Sequence, residues 1–159
     1  MIDRRSIREV AVAVTACAGV LLLADLGLGW FRVAIVTGVG GSTTRITVNA
    51  TGWTNVGLIA GFVTIAMLVY LIRPMRQGGV DVQAVAVTAA LGLASVGFTI
   101  AAAFTGTSSV TATGAIAVIA TRQWAAYAGM ALAAVAAVGA VVALTESLRG
   151  AAASPPVAE

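Results

Sequence analysis

Four apolar runs separated by short polar stretches set the pattern of this chain: Val10–Trp30, Val56–Ile72, Val82–Phe104 and Trp124–Leu144. Each is about 17–23 residues long, the length an α-helix needs to cross a hydrocarbon core of about 30 Å. The pattern predicts four membrane-spanning helices, an outer segment at 31–55, a second at 105–123, and a short turn between the second and third helices. That turn makes the second and third helices antiparallel neighbours. The tail 150–159, with Pro155-Pro156, is expected to be disordered and cytoplasmic.

Local signals mark the helix ends. Ser6-Ile7-Arg8-Glu9 has the form of a capping box ahead of the first run. Asn55 and Asp81 each offer a side-chain oxygen to the free amides of the helix that follows. Pro74 has no amide hydrogen and is expected to end the second span.

The outer segments change period. Phe31–Thr37 is apolar and β-branched, Gly38-Val39-Gly40-Gly41 reads as a turn, and Thr43–Asn49 alternates around Ile46 and Val48. This predicts a hairpin with Thr43, Arg45, Thr47 and Asn49 on a wet face. A third strand is expected at Ala115–Thr121, too short to span a membrane. Ile116, Val118 and Ala120 would face one way, and Ala115, Ala117 and Ile119 the other. Neither face is polar, so both call for cover. The cover is either the rest of the fold or a partner.

Composition supports the membrane reading. Sixty per cent of the 159 residues are hydrophobic and 9% are charged, which no ordinary soluble domain shows. All nine basic residues are Arg, and Ala, Val and Gly dominate, as in proteins of high-GC bacteria such as actinobacteria. The charge is spread thinly, which argues against nucleic acid.

Six arginines (Arg4, Arg5, Arg8, Arg73, Arg76 and Arg149) fall on the side of the termini, and Arg32, Arg45 and Arg122 fall on the other. The positive-inside rule then places both termini in the cytoplasm of a multi-pass protein of the bacterial inner membrane. Trp30, Trp53 and Trp124 lie at the opposite boundary, where indoles anchor among headgroups.

Little chemistry remains for the membrane interior. Asp25 is the one carboxylate within a span. It is expected either to pair with Arg32, Arg45 or Arg122, or to serve as a coupling acid in transport. Cys17 cannot form an intrachain disulfide, being the only cysteine. It reads as a buried thiol, although Val14-Thr15-Ala16-Cys17 also fits a lipoprotein cleavage site.

Gly57 and Gly61 form a G-x-x-x-G spacing, and Gly129, Ala133 and Ala137 put small residues on one face of the fourth helix. Such faces permit close helix approach, within the bundle or against a partner. With no His, one Cys and no phosphate-cradling glycine motif, the chain offers no bis-histidine haem, no His metal site, no Ser-His dyad and no nucleotide site. It reads as a non-enzyme without a cofactor.

The layout resembles the claudin-like architecture, in which an outer sheet is built from a long first loop and a shorter second one. Trp30 and Gly52-Trp53 resemble that family's first-loop elements. The family's Leu between glycine and tryptophan is missing here, as are both loop cysteines. The resemblance implies an all-α four-helix bundle with a small extracytoplasmic β-sheet. The chain also resembles small Ala-rich four-span proteins of mycobacteria. That likeness implies an accessory subunit of a larger membrane complex, such as a mammalian-cell-entry (Mce) type lipid importer or a respiratory assembly, in contact with membrane lipid. The alternative is a small homo-oligomeric transporter or channel using Asp25. The candidate interface comprises Ala115, Ile116, Ala117, Val118 and Ile119, with the small residues Gly57, Gly61, Gly129 and Ala133.

Overall fold

The computed structural model describes residues 4–39, 42–77, 81–105, 111–113 and 116–153. The chain is mostly helical. The helices are α1 (Arg4–Leu26), α2 (Val56–Gln77), α3 (Val82–Thr105) and α4 (Trp124–Ala153), and the strands are β1 (Gly29–Val39), β2 (Ser42–Thr51), β3 (Thr111–Thr113) and β4 (Ile116–Arg122). Helices α1, α3 and α4 are long and apolar enough to cross a membrane, while α2 carries a shorter apolar stretch at Val56–Ile72.

Each helix packs against two others. Helix α1 lies against α4 and α2, and α3 lies against α2 and α4, closing a four-helix ring. Alanine makes the close fit possible. On α4, Ala125, Ala126, Ala133, Ala136, Ala137, Ala140 and Ala143 are all buried at helical spacing. Hydroxyls in this interior bond largely to their own helices: Thr15 donates to Ala11 O, Thr88 to Ala84 O and Ser147 to Ala143 O, each at 2.8 Å. Helices α2 and α3 share a 2.8 Å bond between the Thr64 and Ser95 hydroxyls. The buried Thr99 hydroxyl lacks a described partner.

Several ends differ from the sequence expectation. The first apolar run is not helical to Trp30. Helix α1 ends at Leu26, Gly27 and Leu28 turn, and the β-branched and aromatic residues after Gly29 pair as strand β1. Ser6 lies inside α1, so it is not the cap of that helix. Helix α2 runs past Pro74 to Gln77. Asn55 precedes α2 in a left-handed conformation (φ 49°) and supplies its backbone carbonyl to Leu58 N at 3.2 Å. Asp81 does cap α3, its carboxylate accepting from Ala84 N at 3.1 Å. Helix α4 continues to Ala153, so Gly150–Ala153 is helical and not the start of a disordered tail. Pro155 and Pro156 lie outside the described residues.

The sheet has four strands in the order β2-β1-β4-β3, all neighbours antiparallel. The hairpin and the strand before α4 form as expected, while the short β3 was not legible in the sequence. The sheet is rooted where α1 and α3 end and α2 and α4 begin. Its base packs on the helix ends through Leu26, Trp30, Phe31, Ala102, Ala103, Ala125 and Ala126.

Candidate functional site

The polar residues of greatest interest meet at the root of the sheet. Asp25 occupies the last turn of α1 and is 5% exposed. The turn through Gly27 and Leu28 folds the chain back, which brings the wholly buried Trp30 over it. The indole N–H is shared between two acceptors of one residue, the Asp25 carbonyl at 3.0 Å and its Oδ2 at 3.1 Å. Helix α4 closes the other side. A methyl group at Gly129 would lie 2.6 Å from Asp25 Oδ2 and 2.5 Å from the Trp30 ring, so no larger residue fits there. The arrangement fastens α1, β1 and α4 together. The indole N–H finds its acceptors here, where leaving it alone would be costly.

This corrects the expected ion pair. Asp25 has no cationic partner among the described residues. The Arg122 guanidinium is held elsewhere. Its Nε donates to Ala103 O at 3.0 Å, it stacks 4.4 Å from the Phe104 ring centroid, and Nη1 reaches the Tyr127 hydroxyl at 3.5 Å. Arg122 therefore ties β4 to the end of α3. Arg32 and Arg45 are exposed on the sheet. Register explains the miss: Arg32 points from β1 beside Asn49 and Thr121, away from the helix interior.

The tryptophans are not equivalent, and the shared headgroup role does not hold for all three. Trp30 is a core residue, because strand β1 carries it under the sheet and against the helix ends. Trp53 is half-buried, its ring filling the space above Gly61. Trp124, the first residue of α4, is 70% exposed.

The small-residue faces are likewise consumed within the fold. Gly57 abuts the Gly52 carbonyl, and Gly61 receives the Trp53 ring. The G-x-x-x-G face of α2 thus seats the turn after β2 and is not open to another helix. Gly129 and Ala133 are buried as well. None of these four can serve as an outer interface, since a partner could reach them only by displacing the protein's own core.

The sheet itself is the open part. Strand register places Val48, Val33 and Ala120 in one row, with Ile46, Ile35 and Val118 in the next row on the same face. These six apolar side chains range from half-buried to exposed; Ile46 is 56% and Val48 54% exposed. The opposite face carries Arg45 beside Val36, Thr47 beside Ala34, and Asn49 beside Arg32. Of the expected strand interface, Val118 is half-buried and Ile119 exposed, while Ala115 lies outside the described residues. The sequence located the strand but attributed the open surface to β4, whereas β2 carries its most exposed part.

A second concavity, of about 600 Å³, opens on the outside of α1 and α4 between Val10, Val14, Val135 and Val138. Its walls are almost wholly apolar, which suits acyl chains. No protein-family model matches the chain, and no curated protein matches it.

Proposed function

We propose that the protein is a non-catalytic accessory subunit of a larger complex in a bacterial inner membrane, with a lipid importer of the Mce type as the first candidate host. In this reading the four helices all span the membrane, both termini are cytoplasmic, and the sheet projects on the outer side.

The observation that carries the reading is the division of the molecule. The bundle interior is filled by alanines and self-bonded hydroxyls, and its one acid is locked to Trp30 beneath Gly129. The sheet, by contrast, leaves Ile46, Val48 and their neighbours uncovered. A contiguous apolar patch on an outer sheet is characteristic of a surface that another protein covers. The charge pattern supports the orientation, because Arg4, Arg5, Arg8, Arg73, Arg76 and Arg149 sit toward the end of the bundle remote from the sheet. The transporter alternative needs an acid that can exchange protons or cations with a pathway. The sealed position of Asp25 weighs against it.

The test is affinity purification of the tagged chain from native membranes in mild detergent, with mass spectrometry of what accompanies it. A stoichiometric set of membrane-complex subunits is the expected result. Recovery of the chain alone as a defined homo-oligomer would sink the reading.

A further inference from the structure

We infer that the outer edge of β2 is a docking site for an added β-strand, supplied by an acidic extended segment of an extracytoplasmic partner protein. This inference deepens the accessory-subunit reading and rests on it.

The two edges of the sheet are built differently. At one end β3 has three residues, a blunted edge that offers a new strand little to pair with. At the other end β2 has ten residues and pairs with β1 continuously from Ser42 to Ala50. The irregularity of this pairing falls at Gly29–Phe31, near the root, so the outer edge of β2 is regular over most of its length. Between Ser42 and Thr51 there is no proline, no lysine and one charged residue, Arg45. These are the devices by which sheet edges are usually protected, and β2 has almost none of them. Among the described residues nothing covers it. Every side chain from Thr43 to Asn49 is exposed, on both faces of the strand. In an antiparallel pair every second residue turns its N–H and C=O away from the neighbour, so β2 presents a ladder of unpaired backbone groups.

Charge identifies the occupant. The outer segments 27–55 and 105–123 contain Arg32, Arg45 and Arg122 and no carboxylate. Arg45 and Arg32 lie on one face of the sheet, and Ile46 and Val48 on the other. A strand laid beside β2 places alternate side chains next to Arg45 on one face and next to Ile46 and Val48 on the other, with Arg32 one strand farther in. The complementary segment therefore alternates, with acidic residues on the arginine face and apolar residues beside Ile46 and Val48. Backbone pairing supplies affinity, and the alternation supplies selectivity.

The full chain in phosphatidylcholine nanodiscs tests this with two fluorescent ten-residue peptides, one alternating Val with Glu and the other Val with Lys. Anisotropy should show the Glu peptide binding at least tenfold more tightly, and Arg45→Gln should remove most of that preference. Proline at Thr47 and at Val48 provides the backbone control, since one of these adjacent amides faces β1 and the other faces outward. The outward-facing variant should keep the thermal stability of the parent chain and lose peptide binding.

Equal binding of the two peptides, or binding that survives both prolines, would overturn the proposal. So would disulfide crosslinking of Thr47→Cys between two copies, which would assign the edge to a second copy of this chain. Protection of β2 amides by anionic lipid alone would assign it to the membrane surface. The two readings fail separately. If the native complex is recovered with both proline variants, the edge proposal falls and the subunit reading stands. If no complex accompanies the unmodified chain but the Glu peptide still binds as described, the subunit reading falls and the edge site stands.

Discussion

The root of the sheet and its outer strand β2 belong to the same hairpin yet follow opposite rules. At the root, Trp30 is wholly buried, its N–H is shared between two oxygens of Asp25, and Gly129 closes over both. Some thirteen to nineteen residues farther along, on β2, Thr43 to Asn49 touch so little that each is exposed. Burial makes the root intolerant of almost any change in volume. Exposure leaves β2 free to vary without loss of fold. At the root Asp25 fastens the fold, while the exposed side chains of β2 constrain it little.

The contrast can be broken most severely at the root. Trp30→Ala should cost about 3–5 kcal/mol, the range for emptying a large aromatic site in a core. Thermal unfolding in detergent would measure it, and a loss below about 1 kcal/mol would contradict the packed root, since small losses are typical of exposed sites.

Gly61→Ile tests the same region from the α2 side. Its side chain collides with the Trp53 ring, so the variant should be strongly destabilised, and Trp53→Ala should restore part of the loss. Such non-additivity is expected for residues in contact. Purely additive losses in a double-mutant cycle would place Trp53 elsewhere.

Asp25 separates structure from transport. Asp25→Ala removes one of the two acceptors of the buried indole N–H, leaves the backbone carbonyl in place, and should cost about 1 kcal/mol. Asp25→Asn keeps an oxygen acceptor and should stay near the parent stability. A variant Asp25→Asn that folds and assembles normally but abolishes a measured flux would revive the transporter reading. Asp81→Ala, which removes the α3 cap, should cost about 1 kcal/mol, the usual value of such a cap.

On β2, Ile46→Thr with Val48→Thr should change stability by less than about 0.5 kcal/mol, as surface substitutions do. The same pair should weaken retention of the partner complex. A large drop in stability would mean that the outer face of β2 is already covered within the fold.

Much of the layout was legible from sequence because it depends on periodicity. Apolar length marked the four helices, alternation marked β2, and Asp81 announced the start of α3. The first helix was read too long because its apolar run continues through the break at Gly27–Gly29 into a strand, and hydropathy does not distinguish the two. Asp25 was assigned to arginine because charge invites opposite charge. Its actual partner depends on a turn that folds an indole back by five residues, a contact that no spacing rule predicts. The three tryptophans looked alike as a boundary belt, yet burial separates them completely.

By itself the sequence determined what is local or additive along the chain: the positions of the four helices, strand alternation, the cap at Asp81, and loop segments that carry arginine without acid. Only the tertiary structure decided which small residues are spent inside the fold, where Asp25 finds its hydrogen bond, and which sheet edge stays open. Those outcomes depend on which surfaces meet across many residues of chain. A pattern read along the sequence can state that a face needs cover, and only packing decides what covers it.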